Sequence, residues 1–216
     1  MRQYESYKCS VCGNEVELSK VGGGELHCCG KKMDCITEDL TSVVLMKAFA
    51  GESMARNKYE YFAKIAQKEG YRDIAEHFQR AANNEKKHAQ LELKAYNVLN
   101  YGKEFEDTVG NLQIAIDGES YENETMYPDF SKVASDEGHK DISRMLGLIG
   151  KVEIEHENMY KRLKDRLESG KEFVSDEEEE WICEVCGHVH RGKKALKVCP
   201  VCDHPQEYQS RLNTKK

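Results

Sequence analysis

Glu85-x-x-His88 and Glu153-x-x-His156 recur at an offset of 68 residues, each inside an otherwise apolar helical stripe. Around them the chain repeats itself. Gly51-Glu52-Ser53 returns as Gly118-Glu119-Ser120 at an offset of 67, and Phe62-Ala63-Lys64-Ile65-Ala66 returns as Phe130-Ser131-Lys132-Val133-Ala134 at an offset of 68. Asp73-Ile74 likewise matches Asp141-Ile142. Two helical hairpins therefore read as copies of one ancestor. The offset grows by one between Glu119 and Phe130, close to Pro128, so the third helix is expected to hold either a π-bulge or a proline kink there.

Apolar periodicity predicts four helices, near 41–69, 71–99, 110–137 and 140–168, with Gly70, Gly102 and Gly138 as C-terminal stops. Spacings of three and four put a glutamate into each stripe: Glu52, Glu85, Glu119 and Glu153, with His88 and His156 one turn beyond the second and fourth. Glu122, three residues after Glu119, is a further carboxylate. Burying unpaired carboxylates is costly, and several together repel one another. Two divalent cations remove both problems. One Glu from each of two helices plus Glu-x-x-His from each of the other two is the ferritin-like di-metal pattern. His77 and His139 lack this setting and are expected at the surface.

The flanks carry different chemistry. Nine cysteines fall as Cys9, Cys12, Cys28 and Cys29, then Cys35 alone, then Cys183, Cys186, Cys199 and Cys202. Two sets of four with one left over fit metal ligation better than a disulfide framework. Cys183-x-x-Cys186 and Cys199-x-x-Cys202 form two knuckles suited to one tetrahedral S₄ site, for zinc or iron. Cys28 and Cys29 are vicinal, so the first S₄ site should be distorted, and Cys35 is expected to be a free buried thiol. Three domains are expected: 1–37 with the first S₄ site, 38–174 as the helical bundle, and 175–216 with the second, the acidic run Asp176 to Glu180 serving as a solvated linker. The fold class is mainly α. A net charge of −7 argues against nucleic-acid binding, and no apolar run suggests a membrane span or signal peptide, so the chain reads as cytoplasmic.

The segment Ala48-Phe49-Ala50-Gly51-Glu52-Ser53-Met54-Ala55-Arg56-Asn57-Lys58-Tyr59 resembles the opening helix of rubrerythrins. Gly118-Glu119-Ser120-Tyr121-Glu122 with Met126-Tyr127-Pro128 is similar to their third-helix signature. Trp181-x-Cys183 through His204-Pro205 resembles their rubredoxin-like domain, and residues 7–33 resemble the desulforedoxin domain at the head of desulfoferrodoxins. The whole looks like a desulforubrerythrin. That resemblance implies Glu52, Glu85, Glu119, Glu153 and His156 as di-iron ligands, with Glu122 and His88 exchanging on one iron. It implies Tyr59 and Tyr127 as hydrogen-bonding partners of ligand carboxylates, and iron in both Cys₄ sites, with zinc an alternative in either.

The implied activity is two-electron reduction of hydrogen peroxide to water, with electrons from NAD(P)H. No nucleotide-binding fingerprint is present, so a separate flavoprotein reductase of the rubredoxin reductase type would supply them, directly or through a rubredoxin. A ferroxidase or iron-binding protein is the first alternative, though appended electron-transfer domains suit it poorly. Superoxide reduction would need a His₄Cys domain that this chain lacks, and a zinc-bearing scaffold is the third reading. The resemblance implies a homodimer or homotetramer. A ferritin-like order requires the second connector to run the length of the bundle. Residues 100–109 reach roughly 34 Å at full stretch, barely more than about 31 Å of helix to be passed, so a helix-swapped dimer enters as a second arrangement.

Overall fold

The computed structural model describes residues 1–212, and positions 213–216 of the expected C-terminal domain lie outside the described residues. The chain divides into two compact units, Met1–Phe105 and Glu106–Lys216, each with one helical hairpin and one cysteine-bearing β-module.

In the first unit, β1 (Ser6–Lys8) pairs antiparallel with β2 (Glu15–Glu17) on one side and β5 (Asp34–Cys35) on the other, while β3 (His27–Cys28) pairs with β4 (Lys31–Lys32). The core of this β-module is Tyr7, Cys9 and Met33, flanked by Leu18, Leu26 and Cys28. So small a core rarely holds a fold alone, and a metal staple is the usual remedy. Glu5 is buried beside it, held by Arg2 Nε at 2.8 Å, the Arg2 N–H at 2.6 Å and Tyr7 Oη at 2.8 Å, and these bonds, those from Arg2 foremost, draw its carboxyl down to about 2. Cys35 corrects the expectation of burial. It is free but exposed, because the short strand β5 forms the outer edge of a sheet too small to cover it.

Helix α1 (Leu40–Lys68) starts at Asp39, whose carboxylate accepts from the Thr41 N–H at 2.8 Å. Helix α2 (Arg72–Tyr101) returns antiparallel against it, and the small residues Ala63 and Ala66 of α1 and Ala82 and Ala89 of α2 are buried along the hairpin. The turn uses Gly70 at φ +90, whose N–H donates to Gln67 O while Tyr71 N donates to Ala66 O at 2.8 Å. Lys47 joins the β-module to α1 through an ion pair with Glu17 at 2.8 Å and a cation–π contact with Tyr4.

The second unit repeats the hairpin. Helix α3 (Thr108–Tyr121) is capped by Asp107, passes through a π-helical turn at Glu122–Met126, and continues as α4 (Tyr127–Asp136). The residue added after Glu119 is thus absorbed as a π-bulge. Pro128 sits in the first turn of α4, where its missing N–H costs least. Asn123 pins the bulge: its side-chain amide donates to the Glu119 carbonyl at 2.8 Å and to Glu157 Oε2 on the neighbouring helix at 3.0 Å. The turn into α5 (Lys140–Glu168) copies the first hairpin bond for bond, with His139 N donating to Ala134 O at 2.8 Å.

Gly150 marks a close approach between α4 and α5. A β-carbon there would meet Tyr127 Cβ at 2.9 Å, whereas one at Gly147 meets only Ser131 Oγ at 3.6 Å. Alanine gains about 1 kcal/mol over glycine in a helix, so Gly147→Ala should stabilise by up to that amount. Gly150→Ala faces overpacking worth about 1–3 kcal/mol, for a net loss of up to about 2 kcal/mol. Urea midpoints of the two variants, followed by helical circular dichroism, should move in opposite directions.

After Gly170, β6 (Val174–Cys183) is flanked by β7 (Val189–Lys194) and β8 (Gln209–Arg211). The acidic run is therefore not a linker. Glu179 and Glu180 pair in register with Gly192 and Arg191, so cross-strand hydrogen bonding and an opposite charge draw the segment into the sheet. Trp181 is 1% exposed, donates to Gly192 O at 2.9 Å and lies under the Arg211 guanidinium. No helix among the described residues is long and apolar enough to cross a membrane.

Candidate metal centres

Four groups of metal-competent side chains come together, each with its donor atoms within 4.8 Å of one another. Two are tetrathiolate. Cys9, Cys12, Cys28 and Cys29 gather in the N-terminal module, and Cys183, Cys186, Cys199 and Cys202 in the C-terminal one. Three knuckles build them in the same way. Gly13, Gly187 and Asp203 take φ of +78, +74 and +56, and their N–H groups donate to the carbonyls of Cys9, Cys183 and Cys199. The vicinal pair solves its problem in the backbone, with Cys29 at φ +50.

Both sets fit a tetrahedral ion. Metal–sulfur bonds of about 2.3 Å imply sulfur–sulfur edges of about 3.8 Å. The Sγ separations are 3.6 Å for Cys12–Cys28, 3.8 Å for Cys28–Cys29, and 3.6 Å for both Cys183–Cys202 and Cys186–Cys199. Electrostatics agree. Backbone N–H groups of Cys12 and Val11 draw the Cys9 thiol down to about 6, while neighbouring Cys12, Cys9 and Cys29 sulfurs push Cys28 up to about 12. Four sulfurs so close cannot all ionise without a cation between them.

The other two groups are the duplicated half-sites. In the first hairpin His88 Nδ1 lies 2.8 Å from Glu85 Oε2 and 3.7 Å from Glu52 Oε1. In the second, His156 Nδ1 lies 2.7 Å from Glu153 Oε2 and 3.6 Å from Glu119 Oε2. The three-residue spacing stacks each histidine on its glutamate, and the neighbouring helix supplies the second carboxylate. Glu52 is held more readily protonated by its hydrogen bond with Glu85, then by burial and the Glu85 charge; Glu119 is raised first by burial. Both sets lack positive charge at the point where their oxygens and Nδ1 converge, and the donor types suit a divalent first-row ion.

Glu122, Tyr59 and Tyr127 fall outside these groups. Glu122 and Tyr127 are close enough to be felt: Tyr127 is raised by burial and then by the charges of Glu153, Glu122 and Glu119. Tyr59 packs against Phe62 and Phe78, each ring centroid 6.2 Å away. His77 is at the surface, its Nδ1 2.8 Å from the Asp73 carbonyl, and His139 is exposed, both as expected. One carboxylate was not anticipated. Glu92 lies two turns past Glu85 on the same face, adds its charge to the surroundings of Glu52, and keeps Oε2 buried without a hydrogen-bond partner. The internal repeat hides it, since the equivalent position in the copy is Tyr160.

Paired Glu plus Glu-x-x-His half-sites on duplicated antiparallel hairpins define a ferritin-like di-metal carboxylate protein. A rubrerythrin family profile matches residues 44–164, a profile for the rubrerythrin rubredoxin-like domain matches 181–208, and one for the desulfoferrodoxin N-terminal domain matches 1–36. Rubrerythrin-1 of Clostridium acetobutylicum is 42% identical over 179 residues, covering 78% of this chain and 92% of its own. Rubrerythrin of Porphyromonas gingivalis is 41% identical over 177 residues, covering 79% and 88%. The chain belongs to the rubrerythrin family. It is an iron-binding oxidoreductase with the family's Glu/His di-iron site and two Cys₄ sites, one rubredoxin-like and one desulforedoxin-like.

Proposed function

We propose that the protein reduces hydrogen peroxide to water, taking up two protons and two electrons per peroxide, with the electrons drawn from NAD(P)H through a separate flavoprotein reductase of the rubredoxin reductase type, directly or through a rubredoxin. The observation that carries this reading is the matched pair of half-sites, with Nδ1–carboxylate distances of 2.8 and 3.7 Å in one hairpin and 2.7 and 3.6 Å in the other. Two equivalent half-sites suit two adjacent ions acting on the two oxygens of one small substrate.

In this reading the domains divide as 1–37, 38–174 and 175–216. Glu52, Glu85, Glu119, Glu153, His88 and His156 hold the di-iron centre, with Glu122 as the carboxylate that exchanges with His88. The irons supply Lewis acidity and the two electrons. The chain's own groups do the rest. His88 and His156 present Nδ1 to the ions beside Glu85 Oε2 and Glu153 Oε2, 2.8 and 2.7 Å away. Glu122 lies on the π turn, whose altered register gives its side chain freedom to approach or withdraw. Tyr127, kept protonated by burial and by surrounding carboxylates, can donate a hydrogen bond to a ligand oxygen, and Tyr59 plays the same part in the first hairpin. Cys183, Cys186, Cys199 and Cys202 hold the iron that returns electrons, and Cys9, Cys12, Cys28 and Cys29 hold a second such iron. The protein works in the cytoplasm as a homodimer or homotetramer.

The test is anaerobic reduction followed by one equivalent of peroxide. The Glu/His irons should reoxidise first and the tetrathiolate irons afterwards, and reductase plus NAD(P)H should sustain peroxide consumption. Irons that stay reduced in the presence of peroxide would remove the proposal.

A further inference from the structure

We propose that Asn123 and Glu157 form a clamp that fixes the π turn in register against α5 and so sets where Glu122 stands, which makes Asn123 a positioning residue of the di-iron centre. The inference rests on the assignment of Glu122 as an iron ligand made above, and adds what holds that carboxylate in place.

A π turn is a helix holding one surplus residue, and the backbone ladder alone does not say which residue that is. Side chains decide it. The Tyr127 N–H, which in a regular α turn would reach the Asn123 carbonyl, donates instead to Glu122 O. Downstream, the turn is bounded by Pro128, which has no N–H to rejoin the ladder, and by Tyr127, whose Cβ leaves no room for a β-carbon at Gly150 of α5. Upstream, the fastening is Asn123. Its Nδ2 donates to Glu119 O at 2.8 Å and, across to α5, to Glu157 Oε2 at 3.0 Å.

Glu157 is prepared to receive that bond. Its side chain is 12% exposed, Lys161 Nζ lies 2.5 Å from Oε1, and Oε2 is left to Asn123. Both oxygens of a largely buried carboxylate are thus committed, and removing either partner strands one of them. The first hairpin supplies the contrast. At the repeat offsets of 67 and 68, Glu122, Asn123 and Glu157 correspond to Ala55, Arg56 and Ala89, and α1 runs as unbroken α-helix from Leu40 to Lys68. The second copy has carboxylate, bulge and clamp at these positions, and the first has none of the three there.

Without the clamp the surplus residue is free to slide toward the N-terminus, and Glu122 is what it would displace. A slip past Glu122 carries that residue, relative to Glu119, to the angular position Tyr121 now holds, about 100° around the helix. Tyr121 is 59% exposed, whereas Glu122 is half-buried on the face that a spacing of three shares with Glu119. The clamp therefore keeps the carboxylate on the ligand-bearing face while leaving its own side-chain torsions unrestrained.

The test pairs Asn123→Asp, which keeps the size but donates to neither acceptor, with Asn123→Asp/Glu157→Gln, in which the new amide donates to the new carboxylate while its oxygen still accepts from Lys161. In the full-length protein, before the Glu/His sites are loaded, backbone amide exchange across 119–127 is read by mass spectrometry. It should rise about tenfold or more in Asn123→Asp, the usual worth of a hydrogen bond to a charged group, and fall most of the way back in the double variant. In the iron-loaded protein, Mössbauer spectra should show the Glu/His signals altered in Asn123→Asp and restored in the double variant, with unchanged tetrathiolate signals verifying that each has folded. Unchanged exchange or unchanged Glu/His signals in Asn123→Asp overturn the proposal. So does a double variant no better than Asn123→Asp, because the effect then lies in the bond to the Glu119 carbonyl and not in the clamp to α5. Glu122→Ala separates this from the ligand assignment. If it leaves the Glu/His signals unchanged, that assignment fails and the proposal with it, whereas altered signals in Glu122→Ala beside wild-type signals in Asn123→Asp overturn the clamp alone.

Discussion

Glu153→Ala should empty the di-iron centre and reduce peroxide consumption by more than about 100-fold, the upper range for losing merely an outer partner of a metal ligand. Glu153 is the most enclosed of Glu52, Glu85, Glu119 and Glu153 at 8% exposure, and its Oε2 converges with His156 Nδ1, 2.7 Å away, on the ion position. Its removal leaves Glu119 and His156 alone in that hairpin. The variant should keep its fold, because in the metal-free protein Glu153 is a burden: its charge is one of the causes that raise Glu119. Iron analysis should show the Glu/His iron lost with both tetrathiolate spectra intact, and the urea midpoint of the metal-free form should not fall. Full iron occupancy in this variant would remove Glu153 from the ligand set.

Cys199→Ala should act on the other half of the chemistry. Cys199 is 1% exposed, and its carbonyl accepts the Asp203 N–H at 3.0 Å to close the second knuckle. The C-terminal β-module buries little beyond Trp181, Ala195 and its own cysteines. A structural tetrahedral ion contributes on the order of 10–16 kcal/mol to modules of this size, so losing one thiolate should unfold the module and release one iron per chain. NAD(P)H-driven peroxide consumption should fall to background, while chemically reduced protein still consumes one equivalent of peroxide at its normal rate. That split separates electron delivery from the di-iron chemistry. Loss of both would place Cys199 nearer the reaction than the proposal has it.

The chemistry was legible in the chain because it depends on local spacing. Glu-x-x-His needs three residues on a helix, a knuckle needs Cys-x-x-Cys and a residue that tolerates positive φ, and the change of offset from 67 to 68 marks the irregularity that the structure resolves, between bulge and kink, as the π turn Glu122–Met126. Helix ends followed Gly70, Gly102 and Gly138 for the same reason. What could not be read depends on neighbours distant in sequence or on surface left over after packing. Asp176 to Glu180 has the composition of a linker, yet it lies within β6, where Glu179 and Glu180 are in register with Gly192 and Arg191, and Cys35 is exposed because an edge strand of a very small sheet has nothing to cover it. Glu92 escaped notice because its copy is Tyr160, so only its place beside Glu52 reveals it.

The sequence by itself therefore determined which glutamate stands beside which histidine and which cysteines share a knuckle, since Glu-x-x-His and Cys-x-x-Cys are local spacings. Only the tertiary structure decided how much chain was left between the hairpins. Two more residues of α2 and two of α3 than periodicity suggested leave only 102–107 between the helices, with Asn97 fastening the connector to α2.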